Sequence, residues 1–101
     1  MTHPRALLLS EIGLPPLQRK LLRALAWAYP APLHNTRCIE AIWPDPDSEP
    51  EYAAKTVGMY VHHLRAAGWA IITRTGVGYV LTRAAFDRLT LPIEQKQERT
   101  R

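Results

Sequence analysis

The amino-acid sequence predicts an α+β fold, a three-helix core followed by a C-terminal β-hairpin. Three observations carry this expectation. Apolar residues recur at helical spacing in three successive segments, each closed by proline or glycine. Two short segments rich in aromatic and β-branched residues follow, with Thr75-Gly76-Val77-Gly78 between them. The length of 101 residues, 47% of them hydrophobic, suits one core and leaves no room for a second.

The first helix is expected after Leu14. Pro15-Pro16 suits a first turn, where a missing N–H costs nothing, and Leu17, Leu21, Leu25 and Ala28 repeat along one stripe until Pro30 and Pro32 stop it. Asn35 or Thr36 can cap a second, short helix with Cys38, Ile39, Ile42 and Trp43 facing inward, ended by Pro44. Ser48-Glu49-Pro50-Glu51 has the spacing of a capping box, so a third and longest helix is expected from Ser48 to Ala67, with Val57, Val61 and Leu64 inward and Gly68 ending it. Trp69 to Thr73 and Tyr79 to Thr82 read as the hairpin strands. Another helical turn or two is expected around Phe86 and Leu89. The domain thus runs over residues 14–91, with 1–13 a lead-in whose Ala6 to Leu9 could form a short strand, and 92–101 a charged, mobile tail.

Composition removes several function classes. A single cysteine, Cys38, forbids an internal disulfide and reads as a small core residue. No apolar run is long enough to span a membrane and the N-terminus has no signal-peptide pattern, which leads to a cytoplasmic expectation. The histidines His3, His34, His62 and His63 have no paired acid or nucleophile at motif spacing, so catalysis is not expected, and neither is a cofactor. His62 and His63 point about 100° apart on a helix and do not readily share a metal ion with Cys38. Gly76-Val77-Gly78 lacks the helix that follows a phosphate-cradling loop and is turn chemistry.

The net charge is +4, and its distribution is uneven. Glu40 to Glu51 holds five acids and no Lys or Arg, whereas Tyr52 to Phe86 holds Lys55, Arg65, Arg74 and Arg83 and no acid. Stepping 100° per residue from the inward stripe of the third helix places Lys55, Met59, His62, His63 and Ala66 on its outer face. Three helices and a glycine-tipped hairpin in this order make a winged helix-turn-helix. In that arrangement the third helix fits the major groove, with Thr56, Tyr60 and Arg65 at its margins meeting phosphates and Arg74 at the hairpin tip near the minor groove. Protonation of the two histidines in acid would add charge to this face.

From Leu14 to Leu81 the residues also resemble the OmpR/PhoB-type effector domains of bacterial response regulators. The resemblance rests on Leu17 to Leu25, Ile39-Glu40-Ala41-Ile42-Trp43, the run Lys55-Thr56-Val57-Gly58-Met59-Tyr60-Val61-His62-His63-Leu64-Arg65, and Thr73-Arg74-Thr75-Gly76-Val77-Gly78-Tyr79. It implies phosphate contacts for Lys55, Thr56, Tyr60, Arg65 and Thr73, base contacts for Met59 and His63, and phosphate contacts for Trp43 and Tyr79. It also implies that the Asp45 to Glu51 loop touches RNA polymerase. The chain departs from the family pattern in three places. Gly58 stands where an acid is common, at a cost of about 1 kcal/mol relative to Ala, and permits close approach of another backbone. Ala66-Ala67-Gly68 replaces a second basic run. The wing arginine position is Thr75, with Arg74 one residue early, and one step along a strand reverses the face. With no receiver domain in these residues, control by phosphorylation is not expected.

The expected function is therefore sequence-specific binding of double-stranded DNA by a small transcriptional regulator, with a homodimer or tandem copies on repeated half-sites supplying enough phosphate contacts. The rival is a winged helix that docks on RNA polymerase or another transcription factor. Its signature would be an exposed apolar patch involving Met59, Tyr60 or Trp69.

Overall fold

Prolines, left-handed glycines and one close approach of two backbones divide the chain into its elements. The computed structural model describes residues 13–89; the expected lead-in strand at Ala6 to Leu9 and the charged tail lie outside them. Helix α1 (Pro16–Ala28) starts on Pro15 and Pro16 as the sequence suggests. A two-residue strand β1 (Leu33–His34) leads into α2 (Asn35–Ile42), and a 3-10 turn (Pro46–Ser48) precedes α3 (Ala53–Ala66). Strands β2 (Ile71–Arg74) and β3 (Gly78–Leu81) form the hairpin, and residues 83–89 are helical, here α4. The result is a mixed α+β fold with a small antiparallel sheet in the order β1-β3-β2. No described helix is long and apolar enough to cross a membrane.

The core forms where the apolar stripes meet. Leu21 and Leu25 of α1, Cys38 and Ile42 of α2, and Val57, Val61 and Leu64 of α3 are buried as the spacing predicts; Leu22 joins them, while Leu17, Ala28, Ile39 and Trp43 of the expected stripes are half-buried at the edge of the core. Leu81 and Leu89 close it from the sheet and α4, and Phe86 stacks on Tyr29 with centroids 4.0 Å apart. The Cys38 thiol is fully buried and donates weakly to the Leu33 carbonyl at 3.7 Å. Burial pushes it up from its ordinary 9.0 to about 11, which makes it a packing residue without a reactive thiolate.

Four boundaries differ from the sequence reading. Asn35 does not cap α2; it is the first helical residue, and its N–H donates to the Val77 carbonyl in the hairpin at 3.1 Å. The strand β1 brings that carbonyl into place and does the work expected of a side-chain cap. The capping box at Ser48 is not used either, and α3 begins at Ala53. Asp45 caps a separate 3-10 turn by accepting from the Asp47 N–H at 3.0 Å, and Glu49, which precedes Pro50, is held extended. Trp69 falls outside β2 because it completes the end of α3. Gly68 is left-handed, its N–H donates to Arg65 and the Trp69 N–H donates to Leu64, both at 3.0 Å, which is a Schellman closure. That closure turns Trp69 into the core, where it is 1% exposed. Thr82, expected in the second strand, instead caps α4 by accepting from the Ala85 N–H at 3.2 Å.

The hairpin turn spans Arg74 to Val77 and closes with the Val77 N–H donating to Arg74 at 2.9 Å. Gly76 at its third position has φ +77°, while no non-glycine residue is left-handed, so the turn is of type II. Gly78 answers a different need. A Cβ there would overlap the Leu33 carbonyl of β1. Gly58 of α3 is looser than the sequence reading supposes: what approaches it is a side chain, the Tyr79 hydroxyl, 3.8 Å from where a Cβ would sit.

These two glycines make opposite predictions. Gly78→Ala should cost at least about 2 kcal/mol in urea unfolding, because backbone rather than a flexible side chain must yield. Gly58→Ala should stabilise the fold by about 0.5–1 kcal/mol in the same experiment, since it removes helix-interior glycine entropy and meets only ordinary contact.

Candidate functional site

The outer face of α3 follows from its inward one. Ala53, Val57, Val61 and Leu64 are buried, and Lys55, Met59, His62 and His63 lie exposed on the other side, as the helical stepping requires. Met59 is 51% exposed. The rings of His62 and His63 stand 6.0 Å apart and tilted, so they present separate nitrogens. Gln18 of α1 holds one of them, its Nε2 lying 3.2 Å from His63 Nδ1, which leaves His63 Nε2 as the nitrogen open to a partner. An amide can present either its NH2 or its oxygen, so the contact can hold in both charge states of the ring. Gln18 was not legible as part of this site, since 45 residues separate it from His63.

The margin residues divide into two groups. Thr56 is half-buried and its hydroxyl donates to the Tyr52 carbonyl at 3.1 Å, inside the helix. Tyr60 and Trp43 are half-buried with ring centroids 6.2 Å apart, so the pair packs α2 against α3 while keeping an accessible edge. Tyr79 is also half-buried, with its hydroxyl over Gly58. These four sit at the foot of the α3 face, tied to the fold by packing or helix hydrogen bonds.

Arg65 has an internal role that the sequence reading did not assign. Its Nε and Nη2 donate to the Ile71 carbonyl at 2.9 and 2.7 Å, and Nη2 also donates to the Thr73 hydroxyl at 2.9 Å. It fastens the last turn of α3 to the edge strand β2 and occupies a backbone carbonyl that a foreign strand would otherwise use. Thr73 is therefore engaged as well. Arg74 and Thr75 lie exposed at the hairpin tip, with Arg74 paired across the sheet to Gly78.

No acid occurs between Tyr52 and Phe86, so α3 and the hairpin carry an uncompensated positive charge. The ion pairs among the described residues, Arg37 to Glu40 at 3.6 Å and Arg83 to Asp87 at 3.7 Å, are exposed and lie in α2 and α4. The apolar signature of a docking module is divided. Trp69 is buried with the Arg88 guanidinium 4.0 Å above its ring, and Tyr60 packs on Trp43, while Met59 stays exposed. Comparisons with protein-family models, with curated proteins and with solved structures find no match to this chain.

Replacing Arg65 by Ala should speed amide exchange selectively across Ile71 to Leu81 and cost roughly 1–2 kcal/mol of stability. Arg65→Lys should fail to restore protection, because a point charge cannot reproduce the planar fork.

Proposed function

We propose that this chain is a winged helix-turn-helix protein that binds double-stranded DNA sequence-specifically and acts as a small transcriptional regulator. The observation that carries the reading is the exposed, acid-free face of α3, bearing Lys55, Met59, His62 and His63, with a glycine-tipped hairpin fastened beside it by Arg65. A helix of this width enters the major groove, where side chains reach base edges. In this reading Met59 and the outward Nε2 of His63 meet bases, Lys55 meets phosphate, and Arg74 and Thr75 at the hairpin tip lie along the neighbouring backbone. One copy offers few phosphate contacts, so two copies on repeated half-sites supply the affinity. The exposed Asp45 to Glu51 loop, on a different segment from the reading face, is left for RNA polymerase.

Selection from random-sequence duplex DNA tests this directly, followed by salt titration of the enriched site. Wild type should enrich a defined motif. His63→Ala should relax preference at one position by about 1–3 kcal/mol, and Lys55→Ala should weaken all sites alike and lower the salt slope by about 1. No enriched motif, together with binding no tighter than about 10⁻⁴ M at physiological salt, would assign the α3 face to a protein partner instead.

A further inference from the structure

A contact between α1 and α3 bears on which base edge the α3 face selects. Gln18 stands three, four and seven residues before Leu21, Leu22 and Leu25, so it extends the inward stripe of α1 by one turn, and it is half-buried. It leans toward α3 instead of solvent, and its Nε2 lies 3.2 Å from His63 Nδ1. His63 is exposed but directly precedes the fully buried Leu64, so its ring is carried outward from a backbone anchored in the core.

The bond decides what His63 offers to a partner. With the amide NH2 of Gln18 toward it, Nδ1 accepts, and a neutral imidazole that accepts at Nδ1 carries its one hydrogen on Nε2. The doubly protonated ring, which the amide turned over would suit, also carries a hydrogen there. Nε2 therefore faces outward as a donor, and a donor selects an acceptor. In the major groove guanine shows two acceptors, O6 and N7, whereas adenine sets an amino group beside its N7 and thymine a methyl group beside its O4. The same bond restrains rotation of the ring, so the donor is aimed before any partner arrives and less ordering is needed on binding.

We propose that Gln18 is a positioning residue that makes His63 a reader of guanine, an inference that rests on the binding of DNA by α3. Gln18 touches His63 and not the DNA, and it sets both the orientation of the ring and the nitrogen that carries the hydrogen. His62 supplies an internal comparison. Its ring lies 6.0 Å from that of His63 and is tilted by 55°, and the Gln18 bond is made to His63.

The test compares wild type with Gln18→Met, which keeps the length of the side chain and removes its amide, and with Gln18→Ala as a second variant. Thermal transitions matching wild type separate lost positioning from lost folding. Long-range ¹H–¹⁵N spectra of the DNA-free chain, taken at about pH 8, above the ordinary histidine pKa, should show His63 with a protonated Nε2 and an unprotonated Nδ1. In both variants these two signals should move toward each other as the tautomers average, while those of His62 stay in place. In selection from random-sequence duplex DNA, the position that His63→Ala relaxes should hold a G·C pair in the wild-type motif. Gln18→Met should lower the preference there at least about fivefold. The double variant should relax it no further than His63→Ala alone, and the salt slope should not change, because no phosphate contact is lost. A His63 spectrum unchanged in both variants, an A·T pair at that position, or a Gln18→Met effect that persists in the His63→Ala background overturns this inference and leaves DNA binding by α3 standing. A wild type that enriches no motif removes the DNA reading itself, and the assignment of guanine with it.

Discussion

The close approach of β1 to Gly78 organises the rest of the molecule. The Leu33 carbonyl lies where any larger residue at 78 would carry its Cβ, so the two backbones come together only because Gly78 has none. From that contact follow the pairing of Leu33 with Tyr79 and of His34 with Gly78, and the third strand of the sheet. It also brings the Val77 carbonyl to the first N–H of α2, so a hairpin residue 42 positions downstream completes the start of a helix. The hairpin is thus held against the helical layer from its β3 side, and its tip has a defined place relative to α2 and α3.

The other side of the hairpin is secured by the end of α3. The Schellman closure at Gly68 reverses the chain within one residue and turns Trp69 inward beneath Arg88, which also donates to the Gly68 carbonyl at 3.0 Å. Arg65, in the last turn of the same helix, reaches over to β2 and binds Ile71 and Thr73. Helix and hairpin therefore act as one rigid piece joined at both the backbone and the side-chain level. That rigidity is what a surface needs if an exposed helix face and a hairpin tip are to meet one extended partner without a large ordering cost.

Much of the candidate site was legible because it depends on helical stepping alone. Once Val57, Val61 and Leu64 are placed inward, Lys55, Met59, His62 and His63 must face out, and they do. Arg65 shows where such reasoning stops. Stepping places it on a margin and charge suggests an anion, but its guanidinium is engaged by a strand carbonyl six residues further on, a partner that exists only after the chain reverses. Gln18 was missed for the same reason: its partner His63 lies 45 residues away on another helix, and nothing in the local pattern announces it.

Local chemistry in the sequence determined the helices, the turn and the inward stripes, because proline, glycine and apolar spacing act over a few residues. It also determined the acid-free stretch that gives α3 and the hairpin their charge. Tertiary structure decided the boundaries and the polar partners. A hairpin carbonyl replaced the Asn35 cap, the tryptophan after Gly68 went to the core instead of the sheet, and a two-residue strand too short to show any period became the third member of the sheet. The physical reason is common to all three: a backbone N–H or C=O must find a partner once buried, and which partner is nearest depends on how the chain returns upon itself.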